Sequence, residues 1–574
     1  MGGNLVTAKT FHQLIHWRDF KLKVFFEGII IGLFSGLIIV AFRYCLEQAE
    51  SFRESIFHLE NMGISKIIIL LVGLGLIAFL LNLIVKKEPL VSGSGIPQVK
   101  GVLSGHIKLK WAKVLILKFV GGVLAIGAGL SLGREGPSVQ IGAAVGQGVS
   151  RLLGRLKIEE KFLITSGASA GLAAAFNAPL AGVIFSMEEL NKNFSPAILM
   201  SAVGASLSAD FVTKLFYGST SAFNFPLLPI LPVNYYIYLI GLGLFIGLFG
   251  GFFNRSLLKT LEIKNKMSLP NTLIILIPLL IACLLGYFLP EVLGGGNHLI
   301  DSLGQNKYPI SLLIILVLVK FFFTLISYGT GVPGGIFLPI LAIGALTGNL
   351  YSDLIIKVFH VSPYYSNNFI IFAMAAYFTA VVKAPITGSI LITEMTGSFS
   401  HLWALITVST VAYLASDLLK NKPIYEALYD RILTKKGSTN NEKKTMLLIE
   451  TVVCLGSEMS GKCVKQIAWP KHCLLVNIKR GDHEILPQGN TLLYAGDNIF
   501  ALVNESYAVD IEQSLCVLAK ENPQTNKQTN KQIKLPTSYT FIYSNKIMRT
   551  LRNNRLSVLI ILLFNNHDRT FCFT

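Results

Sequence analysis

Three short glycine-proline segments interrupt the apolar part of this chain, and their residue types suit the binding of an anion. Breaks in membrane helices expose backbone N–H groups and positive helix ends, and both attract negative charge. The sequence therefore predicts an anion site where helices are broken. We name the segments the first, second and third blocks: Gly93-Ser94-Gly95-Ile96-Pro97, Gly133-Arg134-Glu135-Gly136-Pro137 and Gly335-Ile336-Phe337-Leu338-Pro339.

Ser94 is the candidate side-chain donor of the first block, because it lies between two glycines and just before Ile96-Pro97. Glycine lets the backbone approach an ion closely, and a proline in the first helical turn leaves the early N–H groups free. The serine hydroxyl adds a donor without a charge, which suits an ion that must bind and also leave. The alternative is an ordinary Gly-Ser loop between helices.

Glu135 gives the second block a titratable group. A carboxylate at a helix N-terminus is stabilised by the helix dipole, so it takes the place that an anion would occupy. Protonation would remove its charge and free that place, and one side chain could then both gate the site and carry a proton. The alternative is a capping carboxylate at the membrane surface.

Two adjacent carboxylates, Glu188 and Glu189, end a later apolar run. Such groups are costly beside an apolar helix unless they face water, a partner or a proton path. Helix neighbours point about 100° apart, so only one of the two is expected to face a pathway. The alternative is an interfacial helix end.

The third block and a later tyrosine add neutral donors. The side chains of Ile336 and Phe337 cannot hold an anion, but their backbone N–H groups can. Tyr425 follows Pro423 at the predicted start of a short last helix, and its phenol is a neutral donor like the serine hydroxyl. Taken alone, Tyr425 would equally fit the aromatic belt at a membrane interface.

The elements that must position these residues are membrane helices. Of 574 residues, 52% are apolar and 14% charged, with a mean hydropathy of +0.58, whereas soluble proteins carry about 25% charged residues. The pattern predicts an all-α multi-pass membrane protein with broken and re-entrant helices, and it excludes a large soluble enzyme. Apolar runs close to the ~20 residues of a span occur at 24–44, 67–85, 114–132, 235–253, 273–289, 310–326 and 402–419.

The charge pattern gives the orientation. A formal charge of +18 is explained by the excess of Lys and Arg in cytoplasmic loops of membrane proteins. Nucleic-acid binding would need a soluble basic patch with aromatic partners, and the sequence has none. The basic lead at 1–23 has no cleavage site, so we expect a cytoplasmic N-terminus. The seven cysteines show no metal-ligand spacing, so no metal is predicted.

Composition divides the chain into five predicted regions. The region at 446–518 has β-rich runs at 447–454, 473–479 and 498–503 with turn residues between them, which predicts a small, mainly β (α+β) cytosolic domain. The regions are a basic cytoplasmic N-terminus at 1–23, a membrane domain at 24–432, a linker at 433–445, the cytosolic domain at 446–518 and a polar tail at 519–574 that is predicted to be disordered.

The membrane domain repeats itself. The segment 176–182 recurs at 382–388, a shift of 206 residues, and each copy precedes an apolar run that ends in glutamate. Glycine and proline positions of the second block recur in the third at a shift of 202. These shifts predict duplicated halves, which in transporters are often inverted, with the site at their interface. The alternative is coincidence among glycine-rich apolar segments.

Together these residues resemble the CLC family of chloride channels and chloride/proton antiporters, in its bacterial form. The resemblance runs from about residue 27 to about 430, so the domain at 24–432 is identified as CLC-like. The matching motifs occur in the same order as in the family. They are Gly-Ser-Gly-Ile-Pro (93–97), Gly-Arg-Glu-Gly-Pro (133–137), Asn-Ala-Pro-Leu-Ala-Gly (177–182) with Glu-Glu (188–189), Gly-Gly-Ile-Phe-Leu-Pro (334–339) and Lys-Pro-Ile-Tyr (422–425).

The resemblance implies a homodimer in the lipid of a bacterial inner membrane, with inverted halves, one ion path per subunit and a cytoplasmic C-terminal domain. It also implies the roles of the site residues. Transported chloride and protons are its only implied ligands, with no cofactor. Ser94 and Tyr425 resemble the side-chain chloride ligands, Ile336 and Phe337 the backbone donors, Glu135 the external gating glutamate and Glu189 the internal glutamate that delivers protons.

The chain departs from the family in two places. Acidic residues are frequent after the first block, but this chain reads Gln98-Val99-Lys100, so an expected acid–base contact with Lys118 is absent or reversed. The domain at 446–518 is similar to the TrkA-C module of potassium-uptake regulators, which implies an unidentified small-molecule ligand. The words of this second resemblance lie at 478–481, 486–491 and 495–497. The tail resembles neither family.

Four functions fit these observations to different degrees. The internal acid Glu189 favours a chloride/proton antiporter, and Ser94 favours chloride as the anion. A passive voltage- or pH-gated chloride channel of the same fold is the alternative. An intramembrane enzyme using Glu135 and Glu189 lacks a His-Glu-x-x-His, Ser/Lys or paired-Asp constellation, so no catalytic residue is predicted. A receptor would use the C-terminal domain as its output.

Overall fold

The computed structural model of the protein describes residues 3–57, 64–192, 194–219, 221–225, 228–435, 446–481, 483–504 and 508–519. The chain forms two compact units, Met1–Ser438 and Thr439–Thr574. Most of the predicted linker, from residue 436 to 445, and the predicted tail, from residue 520 onward, lie outside the described residues.

The first unit is built from helices of very different lengths. Its first helix begins at Gly3, so the predicted basic lead is largely part of that helix. The helices are α1 Gly3–Phe57, α2 Ile64–Lys87, α3 Ile96–Leu103, α4 Trp111–Gly127, α5 Glu135–Leu152, α6 Lys157–Phe176, α7 Pro179–Phe185, α8 Pro196–Tyr217, α9 Tyr236–Lys266, α10 Asn271–Phe288, α11 Asn297–Gln305, α12 Ile310–Gly329, α13 Phe337–Phe359, α14 Ser366–Val382, α15 Pro385–Thr396, α16 Leu402–Leu418 and α17 Ile424–Lys435.

Within the described residues, nine helices are long and apolar enough to cross a membrane, which confirms the predicted multi-pass fold. Six of the seven apolar runs fall on these helices. The seventh, at 114–132, forms the shorter helix α4 of 17 residues. Spans at Ile198–Tyr217, Phe337–Phe359 and Pro363–Val382 were missed, because small, polar or proline residues interrupt their apolar runs.

The breaks between helices lie at the three blocks, as the glycines and prolines predict. Gly93 and Gly95 have φ angles of +65° and +98°, which only glycine adopts without strain. Helix α3 then starts with proline in its first turn. Helices α5 and α13 begin at the central residues of the second and third blocks. The chain therefore presents three helix N-termini within the bundle.

The duplicated halves are visible in the backbone. Helices α6 and α14 both end in a left-handed residue, Asn177 with φ +54° and Lys383 with φ +63°, and both are followed by a proline-initiated short helix. Gly133 donates to the Gly335 carbonyl at 2.7 Å, and Gly335 donates back to the Gly133 carbonyl at 2.8 Å. Such reciprocal bonds are expected when two halves are related by a pseudo-two-fold axis.

Two buried lysines extend the repeat, and the sequence analysis did not pair them. Lys118 on α4 and Lys320 on α12 are both fully buried. Each ammonium group donates to two carbonyls of a loop that leads into a short helix, α3 for Lys118 and α11 for Lys320. The two lysines therefore hold equivalent loops of the two halves. The acceptors are Val91 and Gly93 at 2.9 and 2.6 Å for Lys118, and Val292 and Gly294 at 2.8 and 2.9 Å for Lys320.

The second unit is a small α+β domain, as predicted. Its antiparallel sheet has the order β1-β4-β2-β3, with a bulge in the second strand between Leu475 and Asn477. The short third strand and the final helix were not predicted. The elements are β1 Met446–Val452, β2 Cys473–Arg480, β3 His483–Ile485, β4 Asn498–Asn504 and α18 Ala508–Ala519.

Candidate functional site

The three blocks meet at one place, although they lie far apart in the sequence. Gly93 donates its N–H to the Val332 carbonyl at 3.1 Å, and Gly334 donates to the Gly93 carbonyl at 3.1 Å. The reciprocal pair between Gly133 and Gly335 joins the second block to the third. Backbone hydrogen bonds therefore hold the N-terminal ends of α3, α5 and α13 together.

Ser94 lies inside this junction, with only 1% of its surface exposed. Its hydroxyl has no hydrogen-bond partner among the described residues. A Cβ atom on Gly136 would come within 2.6 Å of the Ser94 carbonyl oxygen, so the close approach of α5 requires glycine there. The buried hydroxyl argues against an ordinary surface loop, because unpaired buried polar groups are costly.

Tyr425 reaches the same junction from α17. It is fully buried, which excludes a place in an interfacial aromatic belt. Neither its hydroxyl nor that of Ser94 makes a hydrogen bond of good geometry in the described part of the chain, although the two side chains are close enough to interact. Two neutral O–H donors thus come together, although they lie far apart in the sequence of the membrane domain.

Tyr328 is a neighbour that the sequence analysis missed. A Cβ atom on Gly93 would lie 3.2 Å from the Tyr328 hydroxyl, so this phenol packs directly against the first block. Tyr328 is 5% exposed at the end of α12. The signal in the sequence was its position just before the third block. An apolar run, however, does not show which way the side chain of a single tyrosine points.

Glu135 is fully buried at the first position of α5. One carboxylate oxygen, Oε2, accepts the Leu338 N–H at 3.4 Å, while Oε1 has no partner among the described residues. Leu338 lies in the first turn of α13, where N–H groups have no acceptor within the helix. The carboxylate therefore lies against the positive end of a helix from the other half, and its burial excludes a surface cap.

Ile336 and Phe337 form the start of α13, and both are fully buried. The Phe337 ring packs against three other phenylalanine rings, which anchors this helix end. The first N–H groups of α13 remain the groups available to an anion. The ring partners are Phe176, Phe185 and Phe378, at centroid distances of 5.4, 6.3 and 4.6 Å.

Glu188 and Glu189 have different surroundings, as their helical spacing predicted. The Glu188 carboxylate accepts the Thr387 N–H and hydroxyl, each at 2.7 Å, at the start of α15. Glu188 is therefore occupied as a cap of the other half. Glu189, in a π-helical turn at Ser186–Asn191, is 2% exposed and points elsewhere.

Glu189 forms a buried ion pair with Lys100 of α3, with 3.1 Å between Lys100 Nζ and Glu189 Oε1. Lys100 Nζ also lies 3.8 Å from Glu426 Oε1, and Lys192 contacts Glu426. The lysine after the first block is thus opposite the candidate proton acceptor, while Lys118 binds carbonyls. In the described residues, these two arrangements take the place of the acid–base contact expected between Lys118 and an acid after the first block.

These groups define what the site can do chemically. Neutral hydroxyls and helix N-termini can hold an anion without a full positive charge, so the anion can also leave. Two buried carboxylates can exchange protons. Within the described residues, no group of three or more His, Cys, Asp or Glu side chains could hold a metal ion.

Comparisons with known proteins give consistent matches. The model of the voltage gated chloride channel family matches residues 75–417, and the TrkA-C domain model matches residues 448–512. The H(+)/Cl(-) exchange transporter ClcA of Vibrio vulnificus strain YJ016 is 33% identical over 445 residues, covering 75% of this chain and 94% of the relative. The transporter of the same name from Vibrio cholerae strain O395 is 34% identical over 443 residues, covering 74% and 92%.

A solved structure matches as well. The crystal structure of a slow cyanobacterial Cl−/H+ antiporter is 29% identical, with a TM-score of 0.68. The match covers 72% of this chain and 99% of the antiporter.

Proposed function

The chain belongs to the voltage gated chloride channel family, as its sequence words predicted, and on that premise we propose that it is a chloride/proton antiporter. The observation that carries the proposal is the placement of Glu135. Its buried carboxylate lies at the N-terminus of α13, where it accepts the Leu338 N–H. A group in that place competes with an anion when ionised and yields to it when protonated.

The anion site that we propose is made of four groups. The hydroxyls of Ser94 and Tyr425 supply two neutral donors, and the N–H groups of Ile336 and Phe337 supply two more. The buried, unpartnered state of both hydroxyls supports this assignment. Neutral donors bind chloride weakly enough for turnover, which a buried guanidinium or ammonium ligand would not.

The exchange cycle follows from the competition at α13. Ionised Glu135 occupies the helix end and keeps chloride from it. Protonation neutralises the carboxylate, the side chain withdraws, and chloride takes its place next to the same N–H groups. Release of the proton toward Glu189 restores the charge and displaces chloride. One proton-binding event is thereby linked to chloride movement in the opposite direction.

The cellular setting is part of the proposal. The protein is a multi-pass membrane protein, and we place it as a homodimer in a bacterial inner membrane, with its N-terminus and its C-terminal domain in the cytoplasm. The excess of basic residues in the N-terminal segment supports this orientation. The TrkA-C domain would act as a regulatory module with a small-molecule ligand.

A flux measurement tests the proposed function. Purified full-length protein in liposomes should take up protons while chloride leaves down its gradient. Glu135→Gln and Glu189→Gln should each abolish this proton uptake. The proposal fails if the wild type moves no protons, or if both variants still couple proton uptake to chloride efflux.

A passive chloride channel is the second candidate, and one observation favours it. The Lys100 ammonium lies on Glu189, and a carboxylate held in an ion pair is a poorer proton carrier. The reversal potential separates the two functions. An antiporter's reversal potential responds to a pH gradient, whereas a channel's depends on chloride alone.

A further inference from the structure

Four charged side chains form a cluster beside the anion site, and the proposed mechanism uses only one of them. We name Lys100, Glu189, Lys192 and Glu426 the inner cluster. Lys100 bonds Glu189 at 3.1 Å and approaches Glu426 at 3.8 Å, while Lys192 contacts Glu426. The two lysines and two glutamates together carry no net charge.

Lys100 lies between Glu189 and the last helix of the membrane domain. It lies on α3, the helix that starts just after Ser94, and Glu426 directly follows Tyr425 on α17. The Lys100 ammonium therefore links α3, which follows Ser94, to α17, which carries Tyr425. Its side chain is 10% exposed and that of Glu189 is 3% exposed, so water screens their attraction little.

The groups around Glu189 show which cation controls its charge. Lys192, Glu426 and Tyr425 also act on it electrostatically. Lys192, however, pairs with Glu426. In the part of the chain that the structure describes, Lys100 is the one cation within ion-pair distance of Glu189.

An ammonium group at this distance favours the ionised carboxylate, since neutralising the acid would leave the buried lysine without its partner. A proton that reaches Glu189 must therefore displace this ion pair. The ion pair therefore opposes proton uptake from the inner side, and it does not oppose the binding of the anion to the hydroxyl donors.

We infer that Lys100 is a positioning residue that favours the ionised form of Glu189, and that it shifts proton-coupled exchange to a lower inner pH than Glu189 would support without it. The inference deepens the proposed function and rests on it. Removal of the Lys100 charge should let Glu189 take up protons at a higher inner pH. The ratio of protons to chloride should then vary less with inner pH.

The test is the dependence of chloride-driven proton uptake on inner pH, measured with full-length protein in liposomes. Lys100→Met removes the charge and keeps most of the stem, whereas Lys100→Arg keeps the charge. Lys108→Met makes the same change at an exposed lysine of the following loop. We expect Lys100→Met to raise the pH of half-maximal proton uptake by about one unit or more, and Lys100→Arg and Lys108→Met to stay near the wild type.

A profile for Lys100→Met that matches the wild type overturns the inference, as does an equal shift in Lys108→Met. A general structural effect is separated by the Glu189→Gln background. If Lys100 acts through Glu189, adding Lys100→Met to Glu189→Gln leaves chloride flux unchanged; a further loss of chloride flux there overturns the inference. Absence of proton coupling in the wild type instead defeats the proposed function, so the two failures are distinguishable.

Discussion

Glu188 and Glu394 cap each other's halves of the protein. Glu188 accepts the Thr387 N–H at the start of α15, and Glu394 accepts the Ala181 N–H at the start of α7, each at 2.7 Å. The two acids are 206 residues apart, which is the shift of the internal repeat. These reciprocal hydrogen bonds, from a helix N-terminus of one half to a carboxylate of the other, join the two halves. They also give Glu188 a different role from that of its neighbour Glu189.

We expect Glu188→Ala and Glu394→Ala to destabilise the protein by similar amounts, about 1–3 kcal/mol each, because each leaves helix N–H groups unpaired. Thermal unfolding of the purified protein measures the change. Glu262→Ala is the matched control, because that side chain is 63% exposed and should change stability by under about 0.5 kcal/mol. Equal losses in all three variants would contradict the capping role. Glu188→Gln should also keep proton coupling.

Lys118 should affect chloride binding more than its repeat partner Lys320. Both lysines clamp two carbonyls, but the loop held by Lys118 carries Ser94, whereas the equivalent position in the other loop is Gly295. We expect Lys118→Met to weaken chloride binding about tenfold, or about 1.4 kcal/mol, in a calorimetric titration. Lys320→Met should bind chloride within about twofold of the wild type. Equal losses of affinity would show a general effect of losing a buried lysine.

Gly136 should tolerate no side chain. A Cβ atom there would lie 2.6 Å from the Ser94 carbonyl oxygen, so Gly136→Ala must push α5 away from the first block. We expect chloride flux to fall at least roughly tenfold, which corresponds to about 1.4 kcal/mol in the barrier. Gly73→Ala on α2 is the control, because nothing lies within 4 Å of the added carbon. Undiminished flux in Gly136→Ala would contradict the close packing of the two blocks.

The C-terminal domain should lose stability in acid through Asp497. Burial raises the pKa of Asp497, but the two hydrogen bonds from Arg480, at 2.7 and 2.8 Å, and the Tyr494 N–H outweigh it and hold the pKa below its ordinary value of 3.8. A lowered pKa in the folded state contributes stability above the ordinary value, and that stability is lost as pH falls through the lowered value.

Hydrogen exchange in the full-length protein measures this effect at strand β4, after correction for the intrinsic rate. We expect constant protection from pH 7 to about 5 and a loss below about 4. Asp497→Asn should have lower protection at neutral pH and a flatter profile. An unchanged acid profile in that variant would assign the transition to another group.

Local chemistry explains why the helix breaks were predictable from the sequence. Glycine alone adopts the φ angles found at Gly93 and Gly95 without strain, and proline starts a helix more readily than it continues one. The starts of α3, α5 and α13 therefore follow from residues within a few positions. The repeat was likewise visible, because the same breakers recur at nearly constant shifts.

The partners of the charged groups were beyond the reach of the sequence. Spacing predicted that Glu188 and Glu189 face different ways, but not which one caps a helix of the other half. Nor could it predict that Lys100 meets Glu189, since 89 residues separate them. Composition and local breakers determined by themselves a helical membrane protein with broken helices, at which the sequence predicts an anion site. Tertiary packing decided which carboxylate caps a helix of the other half, which is paired and which lies at the end of α13. Short-range ion pairs and hydrogen bonds depend on contacts that only the folded chain makes.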